Sequence, residues 1–266
     1  MAIIEVTQHD HVRVLRLNRA DKMNALSDEL AWGIVHAVRE AQADAHTWVI
    51  GLTGTGRAFC AGLDLTADGD HTNHSGMTDL DAYLDDLGWV SRFTLTLRHE
   101  CDKPIVGGIN GVAVGAGLSL AMACDMRIMA TSARLMAGYA RVGGSPDGGL
   151  SFTLAQALGY EGAMRFLIEN GTVEGPEAAE LGLVGEVVAD DEFEERFLAY
   201  CTRLTETSPI TARLTKRVVR NATKHPDLEA HLRLELASIM RAFSSADGRE
   251  ATQAFVEKRS PEFKGR

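Results

Sequence analysis

An α/β fold with a helix-only C-terminal region follows from three features of the sequence. Strand-like runs alternate with helical patterns over most of the chain, the order strand, Gly-rich turn, helix occurs twice, and Pro209 opens a stretch of three successive helical patterns. The first two predict layered right-handed crossover units; the last predicts a tail outside the sheet.

Two strand-like runs, Ile3 to Thr7 and Val12 to Leu17, are joined by a polar turn and predict an antiparallel hairpin. Ser27 reads as an N-cap, since Leu30, Ile34, Val35 and Val38 follow at helical spacing over Asp28 to Gln42. Trp48 to Thr53 is a strand ending at Gly54 and Gly56. A polar loop, Asp64 to Thr78, precedes a helical pattern from Asp79 to Arg98, and Ile105 to Ile109 is the next strand. A second Gly-rich turn, Gly111 to Gly117, leads to a short helix, Leu118 to Ala123, and a strand, Met126 to Ala130. Beyond Pro146 the pattern is helical, interrupted by a short strand near Val184 to Val188. No Pro/Ser/Gly-rich linker divides the chain, so we expect one large core over residues 1–200 and a helical region over 201–266.

The chain has 266 residues, 45% of them hydrophobic and 24% charged, enough apolar surface for a substantial core. Its formal charge of -10 argues against nucleic acid or an anionic membrane as the main partner, because phosphate contacts need a basic surface. The basic segment RLTKRVVRNATK reads as a solvated helix face, since the acidic EAHLRLE follows at once. Cys60, Cys101, Cys124 and Cys201 are scattered without zinc spacing and are expected as buried thiols. The N-terminal run reads as strands rather than a secretory leader, and no apolar run reaches the length of a membrane span, so a cytoplasmic location is expected. His71 and His74, near Asp64, Asp68 and Asp70, fall in a polar loop, and no metal is expected there.

The two Gly-rich turns carry the first chemical signal. TGTGRAFCAGLDL follows a strand but lacks the third glycine of a dinucleotide fingerprint and the Lys-Ser/Thr of a Walker loop. In INGVAVGAGLSLAMACD, Gly115 and Gly117 flank Ala116 at a helix start, where free N–H groups and the helix dipole favour an anion. Small residues there let a ligand approach the backbone. For a thioester losing an α-proton, two aimed N–H donors would meet the charge on the carbonyl oxygen, each worth roughly 3 kcal/mol of barrier.

Five segments together resemble the enoyl-CoA hydratase/isomerase, or crotonase, superfamily: LNRADKMNALS (17–27), TGTGRAFCAGLDL (53–65), INGVAVGAGLSLAMACDMRI (109–128), SPDGG (145–149) and AFVEKRSPEFKG (254–265). They span nearly the whole chain in the expected order. The resemblance implies a ββα spiral core and a C-terminal helical trimerisation region, in a homotrimer or a hexamer of two trimers, with helices around Phe255 to Phe263 at subunit contacts. It implies that Leu63 and Ala116 supply the two oxyanion N–H groups. It places Arg19, Ala20, Lys22 and Met23 near the nucleotide of CoA, with Ala61, Gly62, Asp64 and Leu65 forming the adjoining wall. CoA arrives as part of the thioester substrate, so no separate cofactor is implied.

Family hydratases resemble one another in using two glutamates to position and activate water. Ser119 and Tyr139 stand at those two positions here, so the paired-carboxylate machinery is missing. Related isomerases keep an acid in the later turn, where this chain has Asp147. A single carboxylate can take a proton from C2 of a 3-enoyl thioester and return it to C4. By itself, Asp before Gly-Gly at a helix start also reads as an N-cap, and Tyr139 also reads as a packing residue. Ser119 in GLSLA is not a nucleophile elbow. Trp89 and Phe93 are core or pocket wall. An isomerase is therefore the expected activity. The alternatives are Asp147 as a nucleophile, as in related dehalogenases, a Ser119-held water cleaving the thioester, or a non-catalytic acyl-CoA-binding protein.

Overall fold

The computed structural model describes residues 2–66, 87–222 and 227–266. The predicted hairpin is present as β1 (Ile4–His9) and β2 (Val12–Leu17), antiparallel with Ile4 opposite Leu17 and His9 opposite Val12. Helix α1 (Asp28–Ala43) begins where Ser27 Oγ accepts from the Leu30 N–H at 3.3 Å and buries Leu30, Ile34, Val35 and Val38. It crosses over to β3 (Val49–Gly54), which lies parallel to β2.

From β3 onward three long strands in turn lead into short ones. β3 is followed by β4 (Ala58–Cys60). Helix α2 (Gly88–Leu95) widens into a π turn, Thr96–Glu100, and leads to β5 (Ile105–Ile109) and β6 (Val112–Val114). Helix α3 (Ala116–Ala123) leads to β7 (Met126–Ala130) and β8 (Arg134–Met136). Helix α4 (Leu150–Ile168), broken at Gly159, is followed by β9 (Thr172–Glu174), α5 (Gly175–Glu180) and β10 (Glu186–Val188). The strands of five or six residues and the three-residue β10 form a six-stranded sheet in the order β1-β2-β3-β5-β7-β10, and the remaining short ones a second sheet in the order β4-β6-β8-β9. Repetition of strand, short strand, helix is the ββα spiral.

The second sheet is the main departure from the sequence reading. Its strands are three residues long, too short to show alternation, and β9 interrupts a stretch read as helix up to Val184. α3 starts at Ala116 rather than Leu118, which makes Ala116 its first residue. Of the helical pattern read over Asp79 to Arg98, the part over residues 79–86 lies outside the described residues, as do Asp68, Asp70, His71 and His74.

Helices α6 (Phe193–Leu204), α7 (Pro209–Ala222), α8 (Leu228–Ser244) and α9 (Ala246–Glu257) complete the fold. The expected boundary at residue 200 falls inside α6, whose Phe197 and Cys201 belong to the core. The helical tail ends at Glu257, where Lys258 takes a left-handed φ of 56°, so Phe263 lies beyond it in irregular chain.

The basic segment of α7 is not the solvated face that the sequence suggested. Lys216 Nζ sits 2.7 Å from Asp125 and donates to the carbonyls of Leu97 and Lys103 at 2.8 and 3.0 Å, while Arg213, Arg217 and Arg220 surround Asp102. Acids that close the core strands' loops attract these cations, which long-range neutralisation by EAHLRLE cannot reveal. All four cysteines are buried free thiols; burial pushes Cys60, Cys124 and Cys201 up to about 12.

Candidate active site

The turn after β2 is built by two consecutive left-handed residues, Met23 (φ 49°) and Asn24 (φ 54°), following a 3-10 turn at Ala20–Lys22. Asn24 is fully buried. Its Oδ1 accepts from the Arg19 N–H at 2.9 Å and its Nδ2 donates to the carbonyls of Thr55 and Ala58 at 3.0 and 2.8 Å. Asn is among the few side chains that tolerate this backbone, and here it also fastens the turn to the first Gly-rich segment.

The fastening continues along the backbone. Ala61 N–H donates to Met23 O at 3.0 Å, Leu26 N–H to Gly62 O at 2.7 Å, and Asp64 N–H to Leu26 O at 2.9 Å. This parallel bridge between Leu26 and Leu63 leaves the Leu63 N–H facing away from Leu26, and among the described residues no backbone carbonyl accepts it. Met23 is thus joined directly to Ala61 and Arg19 to Asp64, with Leu26 bonded to Gly62 and Asp64. Leu65 is exposed, and Lys22 Nζ reaches Thr66 Oγ1 at 3.3 Å from an exposed position.

Arg19 turns inward. Its Nη2 lies 2.9 Å from Asp64 Oδ2 and its Nη1 donates to the Ala25 carbonyl. Asp64 also accepts from Thr66 Oγ1 at 2.7 Å and from the Thr66 N–H at 3.1 Å. Thr66 first, then Arg19, holds the Asp64 carboxyl down at about 2. The carboxylate is covered by these immediate neighbours and lies near the surface, so the opposing effect of lost solvation is the smaller one.

The second Gly-rich turn abuts the first. A Cβ on Gly62, whose φ is 89°, would fall 2.6 Å from Val114 O and 3.7 Å from Ala116 N, so only glycine lets the two backbones meet. Gly117 is as tightly placed, since its Cβ would stand 2.2 Å from Cys60 O. Ala116 is the first residue of α3, after Gly115 at φ 54°, and its N–H has no intrahelical acceptor. Among the described residues, two N–H donors without a backbone acceptor therefore sit on touching turns.

Beside them lies a side-chain network. Tyr139, in the 3-10 turn Tyr139–Val142, places its ring against Gly115 and donates from its hydroxyl to Asp147 Oδ1 at 2.6 Å. Ser119 Oγ lies 3.0 Å from the Tyr139 hydroxyl, 3.0 Å from Asp147 O and 3.2 Å from Gly115 O. Ser119 and Tyr139 are buried. Asp147 is exposed as a residue, yet protein crowds its carboxyl, and this lost solvation raises its pKa above the ordinary carboxylate value; the hydrogen bond from Tyr139 pulls the other way. Burial first, and then the charge of Asp147, pushes the Tyr139 phenol well above its ordinary value. Tyr139 is therefore a neutral donor at any physiological pH.

Asp147 is not a helix cap. The N-cap of α4 is Gly149, and the Asp147 side chain is engaged by Tyr139. The turn is held from above by α2, whose Thr94 Oγ1 donates to Gly148 O at 2.7 Å. Trp89 and Phe93 are in the core, so Thr94 and Val90 are the α2 residues that meet the turn. Sequence reasoning missed Thr94 and Asn24. The buried Asn in a left-handed turn has a weak sequence signal in the Met-Asn pair; a threonine one helical turn from apolar neighbours has none.

Two touching backbone turns at the ends of short strands, with one carboxylate held by a buried serine and tyrosine, fit a thioester enzyme of the crotonase fold. The chain belongs to the enoyl-CoA hydratase/isomerase family, whose profile matches residues 7–266. It is 31% identical to the 1,2-epoxyphenylacetyl-CoA isomerase of Escherichia coli over 96% of this chain and 95% of that one. It is 30% identical to the 2,3-dehydroadipyl-CoA hydratase of the same organism over the full length of both. A crystal structure of an enoyl-CoA hydratase from Bacillus anthracis superposes with a TM-score of 0.86 at 31% identity, covering 100% of each chain. The names of such relatives mostly say hydratase. No helix among the described residues is long and apolar enough to cross a membrane.

Proposed function

We propose that this acyl-CoA enzyme is an isomerase that converts a 3-enoyl-CoA thioester to the conjugated 2-enoyl isomer. The observation that carries the reading is the Ser119–Tyr139–Asp147 network: at the two positions where family hydratases hold glutamates stand a serine and a tyrosine, both bonded into the turn that presents one carboxylate. Hydration needs a water placed and deprotonated by one group and a carbon protonated by another. A double-bond shift needs only one base that gives its proton back.

In this reading the Leu63 and Ala116 N–H groups hold the thioester oxygen. Asp147 removes a proton from C2, the electron pair delocalises over C2, C4 and the oxygen as a dienolate, and the same proton returns to C4 from the Asp147 carboxyl. The 3,4 double bond becomes a 2,3 double bond and nothing else is consumed. Charge develops on the oxygen where two N–H donors await it, the arrangement that lowers the barrier most. Arg19, Ala20, Lys22 and Met23, with Ala61, Gly62, Asp64 and Leu65, form the CoA wall; Arg19 braces it through Asp64, and exposed Lys22, 3.3 Å from Thr66 Oγ1, supplies a cation for a phosphate. CoA comes with the substrate, and no further cofactor takes part.

Ser119 Oγ is surrounded by Gly115 O, Asp147 O and the Tyr139 hydroxyl, which supports a bracing role over a held hydrolytic water. The test follows ultraviolet absorbance as 3-enoyl-CoA is converted to the conjugated product, with loss of conjugated absorbance from 2-enoyl-CoA measured in parallel. Isomerisation should exceed hydration, and Asp147→Asn should lower it by about 10²–10⁴-fold. An unaltered rate in Asp147→Asn, or hydration as the faster reaction, would overturn the assignment.

A further inference from the structure

Away from this site, three side chains that chain distance keeps apart are brought together by strand pairing. Asp10 and His11 lie at the β1–β2 turn and His46 lies between α1 and β3, 35 residues from His11. The parallel register that sets Val12 beside Val49 makes them neighbours. His11 Nε2 is 3.9 Å and His46 Nε2 is 4.0 Å from Asp10 Oδ1, and the two imidazoles tilt at 58° with centroids 4.7 Å apart. Among the described residues this is the one place where three ligand atoms of His, Cys, Asp or Glu converge within 4.8 Å.

The way His11 is held separates this cluster from a chance meeting of charges. Its Nδ1 lies 2.8 Å from the His46 carbonyl oxygen. A carbonyl only accepts, so Nδ1 carries the proton, and in the neutral ring Nε2 turns its lone pair toward Asp10. The ring is stacked flat on Trp48, with centroids 3.7 Å apart and planes 1° from parallel, which fixes its orientation. A backbone carbonyl on one imidazole nitrogen and an open lone pair on the other is the second-sphere pattern of a metal-binding histidine.

The spacing agrees. At 3.9 and 4.0 Å neither imidazole is hydrogen-bonded to the carboxylate. Zinc bonds of about 2.0–2.2 Å in a tetrahedral site set neighbouring donors roughly 3.3–3.6 Å apart, so a small rotation of the exposed Asp10 and His46 side chains closes the triangle. Asp10 sits in a left-handed backbone at φ 49°, and Gln8 Nε2 donates to its carbonyl at 2.5 Å, which fixes the base of that side chain. Asp44, the next acid, is committed to Arg13 and Thr47 at 2.7 and 2.8 Å.

We infer that Asp10, His11 and His46 form a surface site for a divalent transition ion of the Zn²⁺ or Cu²⁺ kind, with water in the remaining position. Two imidazole nitrogens and one carboxylate suit a borderline ion and disfavour Mg²⁺ or Ca²⁺, which take oxygen donors. The bound ion clips the hairpin turn to the connection that enters β3.

Calorimetric titration of Zn²⁺ into the full chain tests this, with imidazole resonances of His11 and His46 followed by NMR. Both rings should shift in step with one equivalent of Zn²⁺, and the thermal midpoint should rise as the ion binds the folded state. His46→Ala and Asp10→Asn should each weaken that binding at least ten-fold while their metal-free melting stays as in the parent. Zn²⁺ bound with unchanged affinity in both variants, His11 and His46 resonances that do not respond, or an equal response to Mg²⁺ would overturn the site.

Discussion

Asp147 owes its proposed role to what touches it. Its carboxyl is pushed above the ordinary carboxylate value by crowding, and the Tyr139 hydroxyl, donating at 2.6 Å, holds it part of the way down by favouring the charged form. A base works only when deprotonated, so the acid limb of kcat/KM for isomerisation should report this pKa. Tyr139→Phe removes the donor, the carboxyl pKa rises further, and the acid limb should move to higher pH. A tyrosine that served only for packing would lower the thermal midpoint and leave the limb where it is. The family resemblance picked out Ser119, Tyr139 and Asp147 separately, while the residues taken by themselves gave the last two innocuous readings. Their joining into one network depends on side-chain directions across 28 residues, which no local pattern encodes.

Elements meet at backbone distance in this site, so small changes there have large effects. In Gly117→Ala the new methyl would lie 2.2 Å from Cys60 O, and α3 could no longer seat its first turn against β4. The expected result is a loss of stability above about 1 kcal/mol in chemical denaturation, with turnover falling together with it because Ala116 N moves. The turn proposed to face CoA offers a different test. Asp64, held at about 2 by Thr66 and Arg19, has a folded pKa below its unfolded value of about 3.9. It therefore contributes stability that is present above the unfolded pKa and is lost as pH falls toward 2. Asp64→Asn should flatten that part of the acid unfolding curve, measured by circular dichroism between about pH 4 and pH 2. A curve with the parent's slope there would mean that the pair does not brace the turn.

At the scale of the molecule, α8 leaves one face uncovered. Leu228, Leu232, Leu236, Ile239, Met240 and Phe243 recur at helical spacing and are all exposed, and Phe255 and Val256 of α9 add to them. We expect this surface to be a contact between copies of the chain in a trimer or a pair of trimers, since exposed apolar stripes of this extent mark interaction sites. Leu236→Glu should lower the mass measured by light scattering without unfolding the core; an unchanged mass would remove α8 from the interface.

The sequence by itself determined the class of the fold, the two Gly-rich turns and the residues that flank them. These are local matters: alternation and helical spacing set the long elements, and a turn that must pass within contact of another backbone admits only glycine at Gly62 and Gly117. Tertiary structure alone decided the second sheet, the docking of α7 on Asp102 and Asp125, the commitment of Arg19 to Asp64, and the meeting of Asp147 with Tyr139. Three-residue strands have no period to read, and a charged or hydroxylated side chain in sequence shows what it can bind but not which partner the fold will set beside it.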